Sequence, residues 1–282
     1  MAEQFLIIVD VGAKGGAHSR WRECAFPIKF IGFEPDEEEC KRLTNDREIY
    51  LPYALWSSAG ERTLYRIRSP FGSSFFEPNY PFVNRFIQAI HYEPRPPIKI
   101  QSRRLDDALG TIGVTDIDML KIDTEGADLE ILKGAGVLLS KAVAVEVEVW
   151  FDQVSKGAPF FADVDNYLRT NGFHLFDIAK ANYFRRSQVG GPKGQLVAGN
   201  ALYFKFSEGL STEKSAKLAV LAAAYGHCDF ANEISSQLGD QAVSKFVARR
   251  SRRLPKFRGK QRLSILLRQL ADTLSENISE EL

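Results

Sequence analysis

Apolar β-formers run almost unbroken through FLIIVDV (5–11), which predicts a strand buried on both faces. IKFIGFEP (28–35) repeats that texture after a short helical stretch near 19–25, and EIYLPYAL (48–55) reads as a third strand. Between these two, PDEEECKRLT (35–44) opens with proline and acids, as the first turn of a helix does. DIDMLKID (116–123) and AVAVEVEVWF (142–151) are two later strands, separated by GADLEILKGAG. There Leu129, Ile131 and Leu132 form the apolar side of a helix, and Gly134 or Gly136 suits its end. FADVDNYLRTNGF (161–173) is a helix stopped at Asn171-Gly172, and FHLFDIA and NALYFKF are closing strands joined by the glycine-rich QVGGPKGQ.

Repeated β-α-β units predict an α/β, Rossmann-like fold, a mostly parallel sheet with helices on both faces. Two closing strands without a helix between them predict a hairpin, hence an antiparallel strand at the end. The stretch from about 57 to 115 is too long for a plain crossover and reads as an insert over the site. After Phe206 strand signals stop, and Leu263, Leu266, Leu267, Leu270 and Leu274 recur at helical spacing. The chain thus divides into a domain over 1–208 and a helical C-terminal extension over 209–282.

Composition narrows the class. With 44% hydrophobic and 26% charged residues, the chain has a globular balance, and no apolar run approaches the roughly 18 residues of a membrane span. The start carries no basic-then-apolar leader, and Cys24, Cys40 and Cys228 lack metal spacing; reduced thiols and a cytoplasmic location are expected. The net charge of +1 hides an asymmetry: RRSRRLPKFRGKQR (249–262) holds eight basic residues, leaving 29 against 36 acids elsewhere. With Pro255 and Gly259 this segment reads as a loop, either simply solvated or touching an anionic surface. Phe257 alone is too little aromatic surface for stacking bases, so nucleic acid is not an expected partner.

The chemistry begins at Asp10-x-Gly12-x-x-Gly15-Gly16, with Glu34 closing the second strand. This is a dinucleotide fingerprint with its first glycine replaced by an acid. A carboxylate there repels a pyrophosphate but helps hold S-adenosylmethionine, which carries a sulfonium and an ammonium. Gly12 and Gly15 still let backbone approach the ligand, and Glu34 is placed to accept from ribose hydroxyls. Asp10, Gly12, Ala13, Gly15, Glu34 and Pro35 form the expected cofactor set.

The segments VDVGAKGG, GFEPD, SRRLDDAL, MLKIDTEGADLEILKGA and VEVEVWF resemble, in that order, the FkbM-type methyltransferases over about 5–206. The resemblance implies the class I methyltransferase fold, with seven strands and the last antiparallel. It further implies methyl transfer from S-adenosylmethionine, usually to a hydroxyl of a glycan or secondary metabolite. By position it adds Ala54 and Leu55 beside the adenine and Asp123, Glu125 and Gly126 in the acidic strand-end motif. Lys14 stands where the family often has asparagine.

Four residues are candidates for catalysis: Asp123, Glu125, Glu148 and His91. Asp123 is expected to hold the methionine ammonium, leaving Glu125 nearer the acceptor as a base; the alternative makes Glu125 a cap of the following helix. Glu146 and Glu148 share one side of their strand, with Glu148 nearer the site and Glu146 a partner for a basic residue. His91 is a base if the insert folds over the site; His18 either touches the cofactor or acceptor or is an exposed helix-start residue, His174 packs on a late strand and His227 belongs to the C-terminal extension. No metal is expected, although oxygens of Asp123, Glu125 and Glu148 are the kind a hard cation takes. PFGSSFFEPNYPF is either an aromatic lid, with Ser73 and Ser74 toward the acceptor, or a cluster anchoring the insert. The resulting expectation is an O-methyltransferase acting on a sugar or secondary-metabolite hydroxyl. An NAD-linked oxidoreductase and a non-catalytic scaffold working through the basic tail are the alternatives.

Overall fold

A computed structural model describes residues 5–22, 26–187 and 193–253. Cys24, most of QVGGPKGQ and the spaced leucines beyond 253 lie outside the described residues. The chain runs β1 (Leu6–Val11), α1 (Ser19–Arg22), β2 (Ile28–Phe33), α2 (Glu37–Leu43), β3 (Glu48–Leu51), β4 (Ala54–Leu55) and β5 (Gly60–Ile67). It continues through α3 (Tyr80–Val83), a 3-10 turn (Ile87–Tyr92), β6 (Pro94–Arg103), α4 (Leu105–Gly110), β7 (Met119–Ile122), α5 (Asp128–Gly134) and α6 (Val137–Lys141). Then come β8 (Ala144–Trp150), α7 (Phe161–Thr170), β9 (His174–Tyr183), β10 (Gln195–Phe204), α8 (Thr212–Tyr225), α9 (Cys228–Leu238) and α10 (Gln241–Arg253).

Seven strands form one sheet in the order β3-β2-β1-β7-β8-β10-β9. The first five are parallel, and β10 lies antiparallel between β8 and β9. This is the expected α/β architecture, including its late antiparallel strand. EIYLPYAL, however, is two strands rather than one. Pro52 has no N–H to continue the ladder, so β3 ends at Leu51 and β4 joins a second sheet, ordered β4-β6-β5.

One face of the large sheet is apolar through Val9, Val11, Ile31, Leu120, Ile122, Val145 and Val147, covered by α4, α5 and α7. Leu105, Ala108 and Leu109 of α4 are buried in that core, so the last part of the predicted insert belongs to the main layer. The other face presents Leu6, Ile8, Phe30, Met119, Ala144, Leu202 and Phe204. Onto it pack α8, α9 and α10, with Leu218, Ala219, Leu221, Ala222, Ile234 and Val247 in the same core. Helix α8 is capped by Ser211 Oγ at its start and by Gly226, at φ 95°, at its end. Its small residues let the helix lie close on the sheet. The basic stretch begins inside α10, since residues 249–253 are helical rather than loop.

Two lysines fasten α8 to the sheet's lower edge. Asp118, fully buried, receives Lys214 Nζ at 2.7 Å and Lys217 Nζ at 3.1 Å, and accepts the Ile7 N–H at 2.8 Å. A third cluster, with Ile67, Phe82, Phe86, Tyr92, Trp150 and Val197, anchors the insert beside β8 and β10.

Candidate active site

The parallel strands end on a cleft of about 1100 Å³. Side-chain parity explains why its walls are charged. Ile8, Met119 and Ala144 form a cross-strand row under α8, and two residues on, the same face carries Asp10, Lys121 and Glu146. The next positions along this face are Gly12, Asp123 and Glu148. Apolar rows face the helices, and polar rows begin where the helices give way to the cleft.

Within the first polar row every charge is answered. Lys121 Nζ lies 3.1 Å from Asp10 and 3.6 Å from Asp123. Arg20 reaches Glu146 at 3.5 Å and stacks 4.1 Å from the Tyr225 ring centroid, and Tyr225 Oη also donates to Glu146. Glu146 thus has the basic partner expected of it. Burial raises the Asp10 carboxyl to about 6 against the pull of Lys121. Burial works to lower Lys121, but Asp10, Asp123 and Glu146 around it lift it above the ordinary lysine value.

Two of the loop glycines have separate reasons. Gly12 sits at φ 81°, and a Cβ there would stand 2.0 Å from the Asp123 carbonyl oxygen, so the turn needs glycine to pass β7. Gly15, at φ 84°, faces open space, where a ligand has room. Most of the loop N–H groups, that of Lys14 excepted, are occupied within the protein. Gly12 and Ala13 donate to the Phe33 carbonyl, Gly15 to Glu39 Oε1, Gly16 to the Ala13 carbonyl and Ala17 to Tyr50 Oη. A pyrophosphate would find those donors spent and a carboxylate beside them. The acids instead suit a cationic ligand. Glu34, buried after β2, lines the cleft with Pro35, and its Oε1 accepts the Asp36 N–H. Burial raises the Glu34 carboxyl. Ala54 and Leu55 close the same end of the cleft.

Beyond β7 the chain makes a turn in which Glu125 stands at φ 56°, a conformation that costs a side-chain-bearing residue roughly 1 kcal/mol or more. The strain is held from three sides. Ser74 Oγ donates to the Glu125 carbonyl at 2.6 Å, the Glu125 N–H reaches Glu148 Oε2 at 3.1 Å, and Asp128 collects the N–H groups of Thr124 and Gly126. Asp128, not Glu125, therefore caps this turn. Burial, then the charges of Asp123 and Asp128, push Glu125 up to about 8. Burial and the neighbouring Glu125, Asp123 and Asp128 also raise Glu148 well above the usual range. Thr124 Oγ1 and Trp150 Nε1, on either side of the turn, are buried without a partner among the described residues.

The structure brings Asp10, Gly12, Ala13, Glu34, Pro35, Ala54, Leu55, Asp123 and Glu125 into one cleft lining, with Gly15 on the adjoining loop. Glu148 sits behind Glu125 as its main-chain acceptor and is not part of the lining. His91 is not brought to the cleft: it lies exposed in the 3-10 turn, because Ala89 and Tyr92 take the buried side of that turn. Ser74 is spent on Glu125, and Ser73 alone of the two serines lines the cleft. The aromatic segment divides: Phe75 and Phe76 pack on Trp56, Phe82 packs on Phe86, and Phe71 stands 64% exposed at the cleft. Among the described residues no group of acids, histidines or cysteines is placed to hold a metal ion. No described helix is long and apolar enough to cross a membrane.

Sequence reasoning assigned no role to Lys121, Asp118, Asp128 or the Arg20–Tyr225 stack. A lysine inside an apolar parallel strand was the available signal, since such a charge must be paired.

A profile of the methyltransferase FkbM domain matches residues 10–175. Hexuronic acid methyltransferase AglP of Haloferax volcanii is 29% identical over 154 residues, covering 52% of this chain. The chain spans only 57% of that relative's length. Among solved structures, magnesium protoporphyrin IX methyltransferase (ChlM) from Synechocystis, with bound S-adenosylmethionine, aligns at 10% identity over 72% of each chain with a TM-score of 0.36. Precorrin-6y C5,15-methyltransferase from Geobacter metallireducens aligns at 10% identity with a TM-score of 0.36, over 72% of this chain and 82% of that one. The profile match runs from the aspartate of the glycine loop into β9, more than half of the chain, and on it the protein belongs to the FkbM family of methyltransferases.

Proposed function

We propose that this protein transfers a methyl group from S-adenosylmethionine to a hydroxyl of a sugar, a glycan or a related metabolite. The observation that carries the reading is the glycine loop: five of its N–H groups, those of Gly12, Ala13, Gly15, Gly16 and Ala17, are satisfied internally, while Asp10, Glu34, Asp36 and Asp123 line the cleft beside it. That chemistry fits a cationic adenosyl donor and opposes the pyrophosphate of NAD. Glu34 is assigned to the ribose, Pro35, Ala54 and Leu55 to the adenine end, and Asp123 to the ammonium. Asp10 acts beside them, one oxygen already committed to Lys121. The relative that methylates a hexuronic acid supports a sugar acceptor.

The bound donor supplies a methyl carbon already activated by its sulfonium. The chain's work is to hold the acceptor in line and to take its proton. Glu125 is the proposed base, facing the cleft with a carboxyl raised to about 8. Glu148 positions it through the main chain, and the orphaned Thr124 Oγ1 offers a hydrogen bond to a ligand hydroxyl.

Binding calorimetry of S-adenosylmethionine, S-adenosylhomocysteine and NAD tests the donor, with Glu34→Ala beside the native chain. Micromolar binding of the first two, weakened about tenfold or more by the substitution, is expected; binding of NAD alone overturns the proposal. Transfer of labelled methyl to a panel of glycosides then reports the acceptor and the atom methylated.

A further inference from the structure

The cleft is charged differently on its two sides. On the sheet side Asp10, Glu34, Asp36, Asp123, Glu125 and Glu146 are interleaved with Lys14, Arg20 and Lys121, whereas the insert side carries Arg66, Arg68 and Arg95 and no acid of the lining. Arg66 and Arg95 are register partners on the antiparallel β5–β6 pair, so two like charges stand directly opposite each other. Such a pair is destabilising unless something answers it. Arg68 has Glu93 at 3.4 Å, an exposed pair of little strength. Neither the Arg66 nor the Arg95 side chain has a hydrogen bond or ion pair among the described residues. The same β5–β6 surface offers an apolar floor of Leu64, Ile98 and Ile100, with the exposed ring of Phe71 beside it.

Resting on the methyltransferase reading above, the geometry points to an acceptor that is itself an anion. Its carboxylate or phosphate is held by Arg66 and Arg95, and the apolar face of its sugar ring lies on the Phe71 side. The planar guanidinium fork matches either oxyanion in bidentate fashion, and an oxyanion held between two such forks answers the like-charge pair. On the sheet side acids outnumber bases, and on the insert side only bases line the cleft, so an anionic acceptor is drawn to the insert side. The cationic donor is drawn to the other half. Charge segregation thereby orients both reactants before any hydroxyl is positioned.

The test is calorimetry in saturating S-adenosylhomocysteine, titrating methyl glucoside, methyl glucuronide and glucose 1-phosphate. The native chain is compared with Arg66→Gln/Arg95→Gln and with Lys99→Gln, a control on the same small sheet outside the cleft lining. One or both charged sugars are expected to bind at least tenfold tighter than the neutral one. The double variant should erase that preference, Lys99→Gln should keep it, and the affinity for S-adenosylhomocysteine should not change. The stronger of the two charged ligands identifies carboxylate or phosphate. Equal binding of all three sugars, binding of none, or loss of the preference in Lys99→Gln overturns the anionic-acceptor inference while leaving the donor reading standing. Failure of S-adenosylhomocysteine to bind overturns both.

Discussion

The main-chain N–H of Glu125 donates to the carboxylate of Glu148 at 3.1 Å, so the strained residue at the end of β7 is held by an acid on the neighbouring strand. Burial raises both carboxyls, Asp123 and Asp128 raise both further, and the charge of Glu125 adds to the rise of Glu148, so the two do not titrate independently.

If Glu125 takes the acceptor's proton, kcat/KM rises with pH through an apparent value near 8, the value to which burial pushes Glu125. Glu125→Gln should remove that limb and lower kcat by roughly 10²- to 10⁴-fold, with binding of S-adenosylhomocysteine retained. A pH profile that keeps its acid limb in the variant would assign the base elsewhere.

The same pair has a consequence for stability. Between the ordinary 4.5 and about 8, the folded protein holds a proton on Glu125 that the unfolded chain has released, so stability falls as pH rises through this window. Glu148→Gln keeps an acceptor for the Glu125 N–H and removes one charge of the pair. Its Tm relative to the native chain should therefore improve progressively from pH 5 to pH 9, by about 2–4 °C for each kcal/mol relieved. A constant difference across that range would contradict the assignment.

Two glycines of one loop should respond differently. Gly12→Ala places a methyl 2.0 Å from the Asp123 carbonyl oxygen at φ 81°, and should cost more than about 2 kcal/mol in urea unfolding. Gly15→Ala meets nothing and should cost only the left-handed penalty, roughly 1–2 kcal/mol. Its larger effect is expected on binding of S-adenosylmethionine.

Helices α8 to α10 should prove inseparable from the sheet. Asp118→Ala removes the counter-charge shared by Lys214 and Lys217, which keep Asp116 at 2.7 Å and Glu213 at 2.9 Å, so the expected cost by chemical denaturation is below the roughly 3–5 kcal/mol of a fully uncompensated buried charge. Asp118→Asn, which still accepts the Ile7 N–H, should cost less. A chain ending near residue 210 would uncover Leu6, Ile8, Met119 and Phe204, and should expose that face to a hydrophobic dye.

By itself the sequence determined what is decided within a few residues. The apolar run of β1, the acid-rich first turn of α2, the Asn171-Gly172 stop and the glycine loop with Asp10 and Glu34 are local patterns, and each stands in the structure where it was read. Only the tertiary structure decided which charges meet. Lys121 answers Asp10 from 111 positions away, and Arg20 and Tyr225 meet at Glu146 across strand and helix. Those meetings depend on strand order and register, which no single segment carries. The place of the C-terminal helices was hidden for a related reason. An alanine-rich helix reads as apolar wherever it lies, and the uncovered sheet face over Ile8 and Met119 gives α8 its place. His91 and Tyr92 are adjacent in sequence, yet the turn exposes the first and buries the second, because packing of the insert against β8 and β10 chooses the side.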